Sequence, residues 1–118
     1  MEMGNSIQHI INKPWGSELI LFETPFYRAK ILKIAPGKSI HLQRHREKDE
    51  TMYIVSGHGW YLTDVHTFGE FQICAPGITI HIPPGHIHKI WASDNCELEI
   101  FEVSNAISDE DVEHLEAE

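Results

Sequence analysis

Residues 37–57 read G-K-S-I-H-L-Q-R-H-R-E-K-D-E-T-M-Y-I-V-S-G. Two glycines enclose Gln43, His45 and Glu50, with strand-type residues on both sides. A shorter stretch, residues 77–88, answers it: G-I-T-I-H-I-P-P-G-H-I-H. With His88 added, four side chains have the donor chemistry of a metal site. A metal site inside a small β-barrel is the expectation from these two stretches.

Working outward, Tyr27 to Ile34 alternates with period two. Arg28, Lys30, Leu32 and Ile34 fall on one face and Ala29, Ile31 and Lys33 on the other. Pro36-Gly37 makes a turn, and Ser39 to His45 continues as strand. There Ile40, Leu42 and Arg44 point one way, while His41, Gln43 and His45 point the other. Three polar, coordinating side chains on one face belong to solvent or to a polar cavity. Arg46-Glu47-Lys48-Asp49 reads as a charged loop, and Glu50 to Val55 as the next strand.

Further strands are expected at residues 6–12, 18–22, 60–63, 71–74, 78–82, 86–91 and 96–103. Pro14-Trp15-Gly16, Ser56-Gly57, Phe68-Gly69, Pro76-Gly77 and Pro83-Pro84-Gly85 supply the turns. Many short strands separated by frequent turn signals predict an antiparallel barrel or sandwich. Only the tail looks helical, with Ser108 as N-cap and Asp109, Glu110 and Asp111 at the positive end of the dipole.

The 118 residues suffice for one domain, 1–118, with its own core. No stretch is long and apolar enough for a membrane helix. The start, MEMGNSIQHIINKPWG, lacks the basic and apolar regions of a signal peptide, so a cytoplasmic setting is expected. The formal charge of −9 argues against nucleic acid. An anionic small substrate stays compatible with it, because a local pocket of lysines can differ in sign from the whole surface. Cys74 and Cys96 have no C-x-x-C spacing and read as reduced thiols.

The spacing Gly37-x5-Gln43-x-His45-x4-Glu50-x6-Gly57 resembles the first motif of the cupin family, with glutamine at a position that is usually histidine. Gly77-x5-Pro83-x-Gly85-x2-His88 resembles the second, with Ala92 where asparagine is often found. The run from Tyr27 to Gly57 is similar to the isomerase domain of type II phosphomannose isomerase, which also occurs fused to mannose-1-phosphate guanylyltransferase. Lys30 matches a lysine seven residues before the first glycine, and Pro14-Trp15-Gly16 and Glu102-Val103 match as well. The likeness covers about residues 13–112. It departs near the end: His114 stands where the family has an arginine after its acidic triplet, and the connection there is shorter. The implied fold is the cupin double-stranded β-helix, a jelly-roll barrel, with a short C-terminal helix.

The donor set Gln43, His45, Glu50 and His88 suits a Lewis-acid divalent metal. Zinc is favoured, with Mn²⁺, Ni²⁺ and Fe²⁺ left open. The resemblance implies a metal-dependent sugar-phosphate aldose–ketose isomerase of the mannose-6-phosphate isomerase type. A non-catalytic sugar-binding cupin and, behind it, a cupin dioxygenase are the alternatives. An isomerase needs a group that shuttles a proton between C1 and C2. His41, on the same strand face as Gln43 and His45, and His86, two residues from His88, are the candidates. Lys30 is the candidate for binding phosphate or an oxyanion, with Arg28, Arg44 and Lys89 behind it. Tyr53, Trp60 and Trp91 are expected in the core or the cavity wall. A homodimer is expected from the family likeness.

Overall fold

The computed structural model describes residues 9–65, 70–108 and 110–116. Among these residues eleven strands occur in this order: β1 (His9–Lys13), β2 (Gly16–Glu23), β3 (Tyr27–Ile34), β4 (Ser39–His45), β5 (Glu50–Ser56), β6 (Gly59–Thr63), β7 (Gln72–Cys74), β8 (Thr79–Ile82), β9 (His88–Ala92), β10 (Leu98–Asn105) and β11 (Val112–His114). They form two antiparallel sheets, ordered β1-β2-β3-β10-β5-β8 and β11-β4-β9-β6-β7. From β3 to β10 every connection except β6–β7 crosses from one sheet to the other, as in a jelly roll, and the sheets close face to face over one core. The β1–β2 hairpin widens one sheet, and β11 lengthens the other. The expected turn at Phe68-Gly69 and the first residues of the expected strand at 6–12 lie outside the described residues.

The inward faces explain where core and site separate. Along β10, Leu98 and Ile100 face inward first, then Glu102 and Ser104. Register sets Leu98 beside Ile34, Ile100 beside Leu32 and Ile54, and Glu102 beside Lys30 and Met52. In β9 the order from the other end is Ala92, Ile90, His88, all buried. The inward ladders of β3, β4, β5, β9 and β10 are thus apolar at one end of the barrel and polar at the other. Ile34, Ile54, Leu98 and Ile100 are wholly buried at the apolar end, each contributing about 1.5–3 kcal/mol of burial. That end holds the fold together and leaves the other free to carry chemistry.

Two expectations fail here. Among the described residues no helix forms at the tail. Ser108 Oγ accepts the Glu110 N–H at 3.2 Å, and the Asp111 N–H bonds the Ser108 carbonyl at 3.1 Å. A serine–threonine turn thus takes the bonds that a helix would have used. Val112–His114 then pairs antiparallel with β4, setting His114 opposite Gln43. Pairing with a neighbouring strand offers a three-residue segment more than an isolated helical turn can.

The aromatic expectation fails as well. Tyr53 and Trp60 are exposed, and Trp91 is half-buried against Trp60 and Phe71 on the outer face of the smaller sheet. Trp15 is the buried indole, held at the two-residue turn between β1 and β2. Cys74 and Cys96 are free thiols. Burial pushes the Cys74 thiol up to about 12, so it stays protonated and inert.

Candidate metal centre

His45 ends β4, Glu50 begins β5, and His88 begins β9. The Gly85 N–H bonds the His45 carbonyl at 2.6 Å. That bond ties the Pro83-Pro84-Gly85 turn of the second motif directly to the first and fixes where β9 starts. His45, Glu50 and His88 each offer one ligand atom, and these atoms lie within 4.8 Å of one another. Nε2 of His88 is 3.2 Å from Oε1 of Glu50, and Nε2 of His45 is 4.0 Å from the same oxygen. All three side chains are buried.

Several polar atoms here have no hydrogen-bond partner: Oε1 of Glu50, Nε2 of His88 and Nδ1 of His45. The His88–Glu50 approach is short, yet neither atom makes a hydrogen bond through it. Buried polar atoms are normally satisfied, so the orphaned Glu50 Oε1 and His88 Nε2, 3.2 Å apart and with His45 Nε2 4.0 Å from the same oxygen, mark a place for a cation. Nδ1 of His88 lies 3.2 Å from the His86 carbonyl. A carbonyl only accepts, so Nδ1 carries the proton and Nε2 presents its lone pair to the centre. This is the outer bond that orients a ligand imidazole.

The electrostatics agree. Burial alone would raise the Glu50 carboxyl. The neighbouring His88 and His45 imidazoles and the Glu102 carboxyl outweigh it and bring the group down to about 2. Burial lowers His45, against the pull of Glu50 and with help from Lys48 and His88. A deprotonated carboxylate and a neutral imidazole are the forms that bind a metal, and Glu50 and His45 are shifted toward them. The residues present therefore fit a divalent cation. Gln43 lines the same cavity as a fourth candidate donor and is the register partner of His88.

The centre opens into a cavity of about 280 Å³, a size for a small molecule. Beyond the ligands, its wall carries Lys13, Lys30, Lys48, Glu18, Glu102 and His114. Lys30 Nζ bonds Glu18 Oε1 at 2.6 Å, and Lys13 Nζ approaches Glu18 Oε2 at 3.1 Å. Glu102 is buried beside Glu50. Burial and the Glu50 carboxylate together hold its carboxyl well above the ordinary range, against Lys30 and Lys48. It is hydrogen-bonded with Glu50, and its surroundings favour the neutral acid.

Lys30 is in the cavity as expected. His41 and His86 are not on its wall. Between Ile40↔Ile90 and Gln43↔His88, β4 advances three residues while β9 advances two. This β-bulge shifts the phase of the alternation. Ile40, Gln43 and His45 share the inner face, and His41 falls out of it, within electrostatic reach of Glu116. His86 sits before β9 with Nδ1 2.9 Å from Asp64 Oδ1.

Arg28, Arg44 and Lys89 are also elsewhere, ion-paired to Glu23, Glu113 and Glu116. Glu18 and Lys48 were not singled out by the sequence. Glu102 was, though only as part of a matching pattern. The available signals were the period-two phase of Glu102 with Leu98 and Ile100, and the pairing of a hairpin glutamate with Lys30.

A family model described as mannose-6-phosphate isomerase C-terminal matches residues 3–117. The alginate biosynthesis protein AlgA of Pseudomonas aeruginosa is 27% identical over 108 residues, covering 90% of this chain and 22% of that protein. A mannose-1-phosphate guanylyltransferase of Sinorhizobium fredii is 25% identical over 91 residues, 77% of this chain and 17% of that protein. The chain thus spans about a fifth of the length of the curated relatives it matches. Among solved structures, KdgF from Halomonas sp. superposes with a TM-score of 0.75 at 19% identity, covering 86% of this chain and 91% of that one. A cupin-2 domain from Rhodospirillum rubrum gives 0.69 at 21% identity, covering 79% and 61%. The fold is a cupin.

Proposed function

This chain belongs to the mannose-6-phosphate isomerase C-terminal family, and from that membership and its buried centre we propose that it is a metal-dependent sugar-phosphate aldose–ketose isomerase. The carrying observation is the convergence of orphaned donor atoms of Glu50 and His88, with His45 beside them, in a cavity that also holds three lysines. In our reading His45, Glu50 and His88, with Gln43, hold the metal, and zinc is the ion we favour for this mixed nitrogen–oxygen set. When bound, such an ion supplies Lewis-acid polarisation of substrate oxygens.

The remaining work falls to the chain itself. Lys30, locked against Glu18, presents a fixed ammonium to the oxygen on which negative charge develops. The proton relay belongs to the carboxyls of the wall, Glu18 and Glu102, in place of His41 and His86. The second reading, a sugar-binding cupin without turnover, is favoured by one observation: His114 lines the cavity where the resembling family carries arginine.

A coupled assay on mannose 6-phosphate and related sugar phosphates decides between the two. Turnover should vanish with chelator and return with added metal. A metal-loaded protein that is inert on every sugar phosphate sinks the isomerase.

Our reading places the protein in the cytoplasm as a homodimer. Among the described residues no helix is long and apolar enough to cross a membrane. Ile10, Leu19, Ile31, Phe101 and Tyr53 stand side by side in register across the outer face of the six-stranded sheet. A continuous apolar row of this kind suits an isologous contact. Light scattering should give twice the chain mass, and Phe101→Glu should halve it; a wild-type monomer at micromolar concentration refutes the dimer.

A further inference from the structure

We propose that Lys48 is the residue that recognises the substrate's anionic group, a phosphate monoester, and that Asp111 and Asn105 exist to hold it in place. The proposal rests on the sugar-phosphate reading above and adds to it the residue that selects for the phosphate.

By composition, Arg46-Glu47-Lys48-Asp49 is a solvent loop. In the structure Arg46, Glu47 and Asp49 are exposed, while Lys48 is only 4% exposed and lines the cavity beside His45, Glu50 and Glu102. The loop is clamped from the segment that follows the core of the barrel. Oδ2 of Asp111 accepts the N–H groups of Glu47 and Lys48 at 2.8 and 3.0 Å. Nδ2 of Asn105 donates to the Glu47 carbonyl at 3.1 Å, and its Oδ1 accepts the Asp49 N–H at 3.1 Å. The Asn105 N–H closes the ring on the Asp49 carbonyl at 3.2 Å. Five hydrogen bonds on a four-residue connection leave its one inward side chain little freedom. Ordering paid at folding is not paid again at binding.

Charge points to what this lysine meets. Lysines 13, 30 and 48 face Glu18, Glu50 and Glu102 around the cavity, and two of those lysines are gathered on Glu18. A divalent cation on His45, Glu50 and His88 adds two positive charges to that set. The cavity becomes a positive basin in a chain of formal charge −9, matched to a dianion. An ammonium at the end of a clamped loop is a point charge of the kind that binds phosphate.

Calorimetry on the metal-loaded protein tests this with three probes: mannose 6-phosphate, mannose and inorganic phosphate. Lys48→Met should weaken mannose 6-phosphate and inorganic phosphate about 10–100-fold. Mannose binding and metal content, by elemental analysis, should not move. Lys48→Arg should stay within about fivefold of wild type, because the charge is kept. Asp111→Ala should weaken the phosphate probes in the wild-type background and have no further effect beside Lys48→Met, the mark of a residue that acts through Lys48.

Unchanged phosphate affinity in Lys48→Met, or an equal loss for mannose, overturns the proposal, as does a wild type that binds no phosphate probe. If Lys48→Met does not fold, Asp111→Ala decides: wild-type phosphate affinity there overturns it equally. A protein that binds mannose 6-phosphate through Lys48 without turning it over refutes the isomerase alone and leaves the anion site standing.

Discussion

Glu50→Ala is expected to strip the metal from the protein and abolish its chemistry. Glu50 is the shared neighbour of the other two ligands, 3.2 Å from His88 and 4.0 Å from His45. It is also the only carboxylate among the three, so its loss removes the site's formal negative charge as well as a donor. Weakening a residue that merely supports a ligand costs about 10–100-fold in metal affinity, and loss of the ligand itself should exceed that. Elemental analysis should fall from about one metal per chain to below a tenth. Turnover should drop by about three orders of magnitude or more, since the ion's polarising role has no substitute on the wall. Gln43→Ala should lose far less metal, because a neutral amide contributes no charge. Full metal retention in Glu50→Ala would mean that the ion sits elsewhere.

Gly57→Ala should be among the most damaging small substitutions in the fold. Its φ is +89°, and an added Cβ would lie 2.0 Å from the Glu97 carbonyl oxygen and 3.0 Å from the Leu98 Cα. The left-handed backbone alone costs an alanine about 1–2 kcal/mol. The clash adds to it, because the obstacle is backbone at the entry to β10, the strand that pairs both β3 and β5. Moving it would disturb Leu98 and Ile100, which are wholly buried. A total of about 4 kcal/mol or more is expected, a large part of the roughly 5–15 kcal/mol of a typical domain. Gly77 supplies the control. Its φ is +92° and no atom lies within 4 Å of an added Cβ, so Gly77→Ala should cost only the backbone term, about 1–2 kcal/mol. In thermal unfolding the first should shift the midpoint by on the order of 15–25 °C and the second by about 5–10 °C. Equal shifts would show that the close approach at Gly57 carries no energy.

The strands and the clustering of His45, Glu50 and His88 were legible in the chain because both rest on short-range order. Alternation from Tyr27 to Ile34 gives β3 with its bounds and its buried face. The Pro-Gly and Ser-Gly pairs give the turns. The spacings around His45, Glu50 and His88 survive folding because each ligand stands at the end of a strand next to a loop of fixed length. The jelly-roll arrangement followed from the resemblance and is what the two sheets show.

What the tertiary structure decided depends on partners far away in sequence. The bulge between Ile40 and Gln43 is a mismatch between β4 and β9, invisible in β4 alone, and it moves His41 off the inner face. The tail could satisfy its backbone as a helical turn or as a strand, and only the free edge of β4 makes the strand the better choice. Lys48 sits in the most polar tetrapeptide of the stretch quoted first, yet Asp111 and Asn105 turn it inward. Glu18 enters the site because hairpin register brings it to Lys30. Local sequence sets the period of each strand and the chemistry of each turn. The phase of one strand against another, and with it the membership of the cavity wall, is set by hydrogen bonds between segments dozens of residues apart.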